Sequence, residues 1–310
     1  MRDVLTLKPS YYDALKRLTL ELAGVKLGSD HAFLVETRLS GLAQREGYDS
    51  LDAMIENLFT EGKTRLAIQI VSTLVERDTH FFYDPVSFSH LSDHVLPQLA
   101  RARGGGKIRI LSFACASGQE AYGVAMRVNA LKDKLSGIDV EIVGVDYPSQ
   151  ALDRAKAGRY THFEVQRGLS ASDLIKYFSP SGEDWLIDEA LRSQVTFHEM
   201  HLLSNLESLG QFHVVMFRGT LPHYSQTARL RVLRGLSERV KEFGYLILGS
   251  NETLSKANFG FDAVEGKGGL YRKREDIVEE VVPEIDPNIK QPNGRTTFEA
   301  TRKPKRSITG

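Results

Sequence analysis

From Ser10 to about Ala102 the apolar positions recur at helical spacing. Tyr12, Leu15, Leu18 and Leu22 follow Ser10, which is placed to cap a helix with Asp13 three residues on, and Gly24 is placed to stop it. Phe33, Leu34, Leu39 and Leu42 share one face of a second helix predicted over residues 30–46, and further helices are predicted over 50–59 and 64–75. Arg101-Ala102-Arg103-Gly104-Gly105-Gly106 then reads as a flexible hinge, so residues 1–103 are expected to form a helical N-terminal domain and linker. From Lys107 the pattern changes to strands alternating with helices. Strands are predicted at 107–113, 140–146, 194–199, 212–218, 244–250 and near 269–273. A helix from about Ser225 to Glu242 sets Leu230, Val232, Leu233, Leu236 and Val240 against Arg229, Arg231, Arg234, Glu238 and Lys241, a solvated face with acids interleaved. Such alternation predicts an α/β domain over 104–275 with a parallel sheet covered on both faces. After Arg274 the residues are acids, prolines and a basic run, Arg302-Lys303-Pro304-Lys305-Arg306. Residues 276–310 are expected to be disordered, because they cannot bury enough apolar surface to offset their ordering entropy. The basic run is read as a solvated terminus, with contact to an acidic partner or membrane surface as the alternative.

The stretch Lys107–Asp146 carries the most chemistry. The apolar strand Lys107–Phe113 runs into the loop Ala114-Cys115-Ala116-Ser117-Gly118-Gln119-Glu120, a helix follows through Tyr122, Met126 and Val128, and the strand Val140–Asp146 ends on an acid. This is the opening of a nucleotide-binding βαβ unit, in which a carboxylate at the second strand's end accepts hydrogen bonds from ribose hydroxyls. The loop has one glycine, Gly118, where a pyrophosphate cradle wants three. A nucleoside ligand without phosphates, such as S-adenosylmethionine, fits better. The other reading is a different α/β sheet in which Asp146 caps a turn and Gly118 permits tight packing. Cys115 stands near a helix N-terminus, where thiol pKa values fall, but small residues are expected in this loop and packing explains it. His90 and His94, four apart with Asp93 between, are read as the exposed face of a helix whose apolar side is Phe88, Leu91 and Val95. No metal site is indicated.

Composition narrows the class. With 310 residues there is room for one large or two ordinary domains, and 41% apolar residues are enough for a globular core. A formal net charge of zero argues against a nucleic-acid binder, for which a basic excess would supply counterion release. The single cysteine excludes an intramolecular disulfide. The polar start of the chain has no signal-peptide pattern and no apolar run is long enough to span a bilayer, so a cytoplasmic protein that is not integral to the membrane is expected.

Several motifs resemble the CheR-type chemotaxis receptor methyltransferases, which esterify chemoreceptor glutamates using S-adenosylmethionine. The likeness runs from about Tyr12 to about Arg274. It rests on Gly24-Val25-Lys26-Leu27, Phe33–Leu39 and Leu42–Tyr48; on Thr79-His80-Phe81-Phe82-Tyr83-Asp84-Pro85 with Phe88 and Val95-Leu96-Pro97; and on Ala151–Tyr160 and Leu246–Leu254. The resemblance implies a Rossmann-like S-adenosylmethionine-dependent methyltransferase sheet preceded by a small all-helical domain. It also implies a small β-subdomain at about 160–192, around Tyr177, Phe178, Trp185 and Ile187, for which a satellite hydrophobic cluster is the alternative. The implied partner is a chemoreceptor or related signalling protein. The implied cofactor residues are Thr79, Ala114, Ser117, Gly118 and Gln119, then Asp146, His201, Leu202, Arg218 and Gly219; the implied catalytic residues are Arg218 and Tyr83, with Thr79 and Arg218 lining the acceptor side.

The chain also departs from the family pattern. Asn-Glu-Thr-x-Phe-Phe-Arg becomes Arg77-Asp78-Thr79-His80-Phe81-Phe82-Tyr83, so a guanidinium gives way to a phenol at Tyr83. Gln119 stands for the first acid of Gly-Glu-Glu-Pro-Tyr, while Gly118, Glu120 and Tyr122 match. Asn-Leu-Leu becomes His201-Leu202-Leu203, Asp-Ile-Asp becomes Asp146-Tyr147-Pro148, and Cys-Arg-Asn-Val-Leu-Ile-Tyr-Phe becomes Phe217-Arg218-Gly219-Thr220-Leu221-Pro222-His223-Tyr224. Two functions are therefore expected from the resemblance: methyl transfer to glutamate side chains, or a catalytically degenerate module that binds or scaffolds in signalling. A glutamate, with a reference pKa of about 4.3, is already a carboxylate at neutral pH and needs no general base. Alignment of nucleophile, methyl and leaving sulfur supplies on the order of 7–11 kcal/mol, so residues that fix the cofactor matter most.

Overall fold

The computed structural model describes residues 7–28, 32–62, 64–75, 79–254 and 259–275. The expected tail over 276–310 with its basic run, and the altered positions Arg77 and Asp78, lie outside them. Four helices come first, Pro9–Ala23, Ala32–Arg45, Leu51–Glu61 and Thr64–Val75, and pack around Leu15, Leu39, Met54, Ile55 and Ile70, all fully buried. The expected Ser10 cap is corrected: the helix begins at Pro9, with Lys8 at the cap position, because proline's fixed φ and missing N–H suit a first helical turn. Gly24 does end this helix at φ 68°, and Ser50 caps the third by accepting from the Ala53 N–H. Glycine is also required sterically at 24, where a Cβ would lie 2.3 Å from that of Ala228 on a helix of the following sheet domain.

A helical rod leads to the sheet: Pro85–Ser89, a π-helical turn His90–Val95, and Leu96–Arg103. The wider turn overturns the reading of His90 as exposed. His90 is buried, with Nε2 3.1 Å from the Gly268 carbonyl oxygen, because a 3.6-residue wheel does not hold through a π turn. His94 stays half-buried.

The strands are β1 Gly106–Phe113, β2 Ile138–Asp146, β3 Arg159–Thr161, β4 Phe178–Ser181, β5 Asp184–Ile187, β6 Val195–Glu199, β7 Phe212–Met216, β8 Val240–Ile247, β9 Phe261–Ala263 and β10 Leu270–Lys273. Seven form one sheet in the order β6-β2-β1-β7-β8-β10-β9, parallel through β8 and antiparallel at β10 and β9. Chain order runs outward from β1 through β2 to β6, then returns to β7 on the other side of β1. The direction reverses between β1 and β7, and open α/β sheets bind ligands at such a point. The expected helix to Glu242 and strand from 244 are also corrected. The helix spans Gln226–Arg239, and β8 starts at Val240, which pairs with Phe212 before the register shifts at Phe243, where φ is 59°. Periodicity cannot register such a bulge, so helical spacing alone places Val240 on the helix face.

Strands β3, β5 and β4 make a separate antiparallel sheet. It is not a satellite cluster. Tyr160, Tyr177, Phe178 and Ile187 join the main core on one side of the large sheet, with the Phe81 ring 5.1 Å from Tyr160 and 5.5 Å from Phe178. The opposite side is packed by the Gln226–Arg239 helix and by Ala23, Val25 and Val71 of the N-terminal segment. Among the described residues no helix is long and apolar enough to cross a membrane.

Candidate functional site

A cleft of about 470 Å³ opens at the carboxyl ends of the three adjacent strands β2, β1 and β7, within the size range of small-molecule sites. Ala114, Asp146 and Arg218 follow or end those strands, while Leu34, Arg38, Ser72 and Val75 of the N-terminal helices form the facing wall.

The backbone between β1 and the helix Gln119–Ala130 is unusual. Ala114 and Ala116 both adopt positive φ, 61° and 48°. Each such alanine costs on the order of 1–2 kcal/mol, and such strain persists only where surrounding bonds fix it. Asp146 provides those bonds: Oδ2 accepts from the Ala116 N–H at 2.6 Å and Oδ1 from the Tyr147 N–H at 2.7 Å. The carboxylate is half-buried and lines the cleft while it serves the turn. The two readings of Asp146, turn residue and ligand acceptor, are compatible.

Glu120, at the start of the same helix, accepts from the Ser112 hydroxyl at 2.7 Å and from Arg218 Nε at 2.6 Å. The Glu120 and Arg218 side chains are only 13% and 4% exposed, so this ion pair is largely desolvated. Arg218 Nη1 also donates to the Tyr83 carbonyl, and its guanidinium lies 4.8 Å over the Phe88 ring. Arg218 thus ties β7, the helix start and the 79–84 loop together. Phe82 and Asp84 in that loop also have positive φ. Burial pushes the Asp84 carboxyl upward, but donors from Ser250 and Ser87 and the nearby Arg218 charge outweigh it and hold Asp84 below its ordinary value. Glu252 closes the rim: its Oε2 accepts from the Gly249 N–H at 2.7 Å and the Gly219 N–H at 3.0 Å, with Gly219 at φ 64°.

Of the residues expected from sequence, Thr79, Tyr83, Ala114, Asp146, Leu202, Arg218 and Gly219 line this one cleft. Ser117, Gly118, Gln119 and His201 stand behind its wall. Ser117 Oγ donates to Gln119 Oε1 at 2.7 Å, and Gln119 is fully buried, with no partner for Nε2 among the described residues. Gly118 is needed for packing: at φ 85°, a Cβ there would come within 2.8 Å of Ala155 Cβ and 3.0 Å of the Phe197 ring. His201 packs edge-on against Tyr147 at 5.1 Å, and burial lowers its pKa. Cys115 is buried, and burial pushes its thiol well up, so it is packing without nucleophilic chemistry. Sequence reasoning missed Arg38 and Tyr147. Tyr147 is adjacent to the strand-end acid and was recoverable from that; Arg38 had no local signal, because only tertiary packing brings its helix over the strand ends.

A family profile described as "CheR methyltransferase, SAM binding domain" matches residues 77–269. The chain is 34% identical over 266 residues to "Chemotaxis protein methyltransferase 1" of Pseudomonas aeruginosa, covering 84% of this chain and 97% of that protein. It is 31% identical over 259 residues to "Chemotaxis protein methyltransferase Cher2" of Pseudomonas putida, covering 82% and 94%. With "Chemotaxis protein methyltransferase 1" of Vibrio cholerae it shares 28% identity over 272 residues, covering 87% and 98%.

Proposed function

The chain belongs to the CheR methyltransferase family, and on that premise we propose that its cleft holds S-adenosylmethionine and presents the methyl group to a glutamate side chain of a chemoreceptor or related signalling protein. The observation that carries this reading is the pair of carboxylates, Asp146 and Glu120, in one cleft at the point where the strand order reverses. The donor set fits the cofactor. Asp146 places a carboxylate at the strand end where a ribose diol would lie, Glu120 offers a carboxylate to an α-ammonium, and Tyr147 and Leu202 supply apolar surface for an adenine. Bound there, the sulfonium supplies an electrophilic methyl and a neutral thioether leaving group.

The chain's own contribution is placement. Ala114 and Ala116 turn the loop so that its backbone can approach the ligand, and Asp146 holds that turn. Arg218 keeps the Glu120 carboxylate and the Tyr83 segment in fixed relation. An acceptor glutamate is already ionised at neutral pH, so no proton has to be removed before attack. The N-terminal helices close one wall of the cleft. In this reading residues 1–103 form the acceptor-facing helical unit, 104–275 the cofactor-binding unit, and the protein works in the cytoplasm.

The degenerate-module alternative draws on Tyr83, a neutral and exposed side chain where the family carries arginine. Methyl-labelled S-adenosylmethionine incubated with the protein and receptor cytoplasmic fragments separates the two. Label released as methanol by mild alkali is expected, as for a glutamyl ester; alkali-stable label would overturn the glutamate assignment, and no label would favour the degenerate module.

A further inference from the structure

With Tyr83 neutral, a cofactor carrying an α-carboxylate needs another cation. The cationic side chains at the cleft are Lys26, Arg38 and Arg218. Arg218 is committed: its side chain is 4% exposed, with Nε on Glu120 and Nη1 on the Tyr83 carbonyl. Lys26 is exposed to solvent. Arg38 differs from both. It is half-buried on the helix Ala32–Arg45, between Val35 and Leu39, both of which are in the core. Its Nη1 donates to the Leu74 carbonyl oxygen at 2.9 Å. Leu74 lies in the last turn of the helix Thr64–Val75, whose final carbonyls have no intrahelical donor. That bond uses one of its five N–H groups, and no acid among the described residues is seen to pair with the rest. A bond to a helix end would by itself be a capping contact. A half-buried guanidinium at a cleft wall, anchored through one N–H and with no carboxylate beside it among the described residues, is in addition a carboxylate receptor.

We propose that Arg38 binds the α-carboxylate of the cofactor's methionine moiety, so that the N-terminal helices complete the cofactor site and the charge missing at Tyr83 is supplied from a different element. This rests on the S-adenosylmethionine reading above. It predicts that cofactor binding and the docking of the N-terminal helices on the sheet are coupled.

The test is calorimetric titration of the full-length protein with S-adenosylhomocysteine and with 5′-methylthioadenosine, which keeps the nucleoside and thioether but lacks the amino-acid tail. Arg38→Gln is expected to weaken S-adenosylhomocysteine about tenfold to a hundredfold, the range for a hydrogen bond to a charged group, and to leave 5′-methylthioadenosine within about twofold. Arg38→Lys, which keeps the charge without the planar fork, is expected to fall between wild type and Arg38→Gln. Thermal melting of both variants checks that they are folded. Unchanged S-adenosylhomocysteine affinity in Arg38→Gln would overturn the proposal, as would equal losses for both ligands, which would mean that Arg38 only shapes the wall. Wild-type protein that binds neither ligand would instead overturn the cofactor reading on which the proposal stands.

Discussion

Arg218→Met removes one partner of the desolvated pair at the centre of the site. The Glu120 and Arg218 side chains are 13% and 4% exposed and meet at 2.6 Å, so the change leaves a largely buried carboxylate without its cation. Breaking such a pair costs about 3–5 kcal/mol, and the lost bond to the Tyr83 carbonyl adds about 1 kcal/mol. The expected loss is therefore about 4 kcal/mol or more, a large part of a typical domain's stability. Glu120→Gln combined with Arg218→Met removes the stranded charge, so it is expected to be more stable than Arg218→Met alone by about 1–3 kcal/mol. Urea denaturation followed by tryptophan fluorescence and by far-ultraviolet circular dichroism gives the midpoints, and coincidence of the two probes checks that one transition is being compared. A loss below about 1 kcal/mol in Arg218→Met, or no recovery in the double variant, would refute the claim that charge burial, and not packing alone, ties β7 to the helix start.

Gly118→Ala is expected to destabilise by about 2–4 kcal/mol, from an alanine forced to φ 85° and from the 2.8 Å approach to Ala155, and differential scanning calorimetry reads this as a lower Tm. Its effect on cofactor affinity should follow the displaced helix Gln150–Ala157 and not a lost ligand contact. His213, buried and accepting the Arg109 N–H at 2.9 Å, has its pKa lowered from 6.5 to about 4 by burial, and then by Lys241, Arg103 and Arg109. The unfolded chain protonates near 6.5 and the folded one only near 4. The His213 contribution is thus full above about pH 6.5, falls as the pH drops through that window, and levels off below about 4. At about 1.4 kcal/mol per pKa unit, on the order of 3 kcal/mol of acid sensitivity is expected from this group. His213→Gln, whose amide oxygen can still accept the Arg109 N–H, should flatten the stability profile between those limits, and an unchanged slope would refute the assignment.

Sequence and structure agree where a signal is local. The third N-terminal helix, predicted over 50–59, is found at Leu51–Glu61, and Asp146 followed from a strand ending on an acid after a small-residue loop. The elements that were misplaced depend on pairing. Val240 continues a helical apolar stripe and yet pairs with Phe212, and His90 sits in a π turn that no periodicity announces. The site divides in the same way. Motif residues at strand ends reached the cleft, whereas Ser117, Gly118 and Gln119, counted from the same loop, stand behind it once the positive φ at Ala114 and Ala116 reverses the chain. Arg38 was illegible because its place depends on how two helices pack across the ends of a sheet some seventy or more residues further along the chain.

The most direct test of the central claim is calorimetric titration of wild type and Asp146→Ala with S-adenosylmethionine and S-adenosylhomocysteine. The account predicts micromolar binding by the wild type and a loss of at least about tenfold in Asp146→Ala, from the ribose contact and from the turn that the carboxylate holds. Wild-type protein that fails to bind either ligand at millimolar concentration, or an Asp146→Ala variant that binds as tightly as wild type, would contradict it.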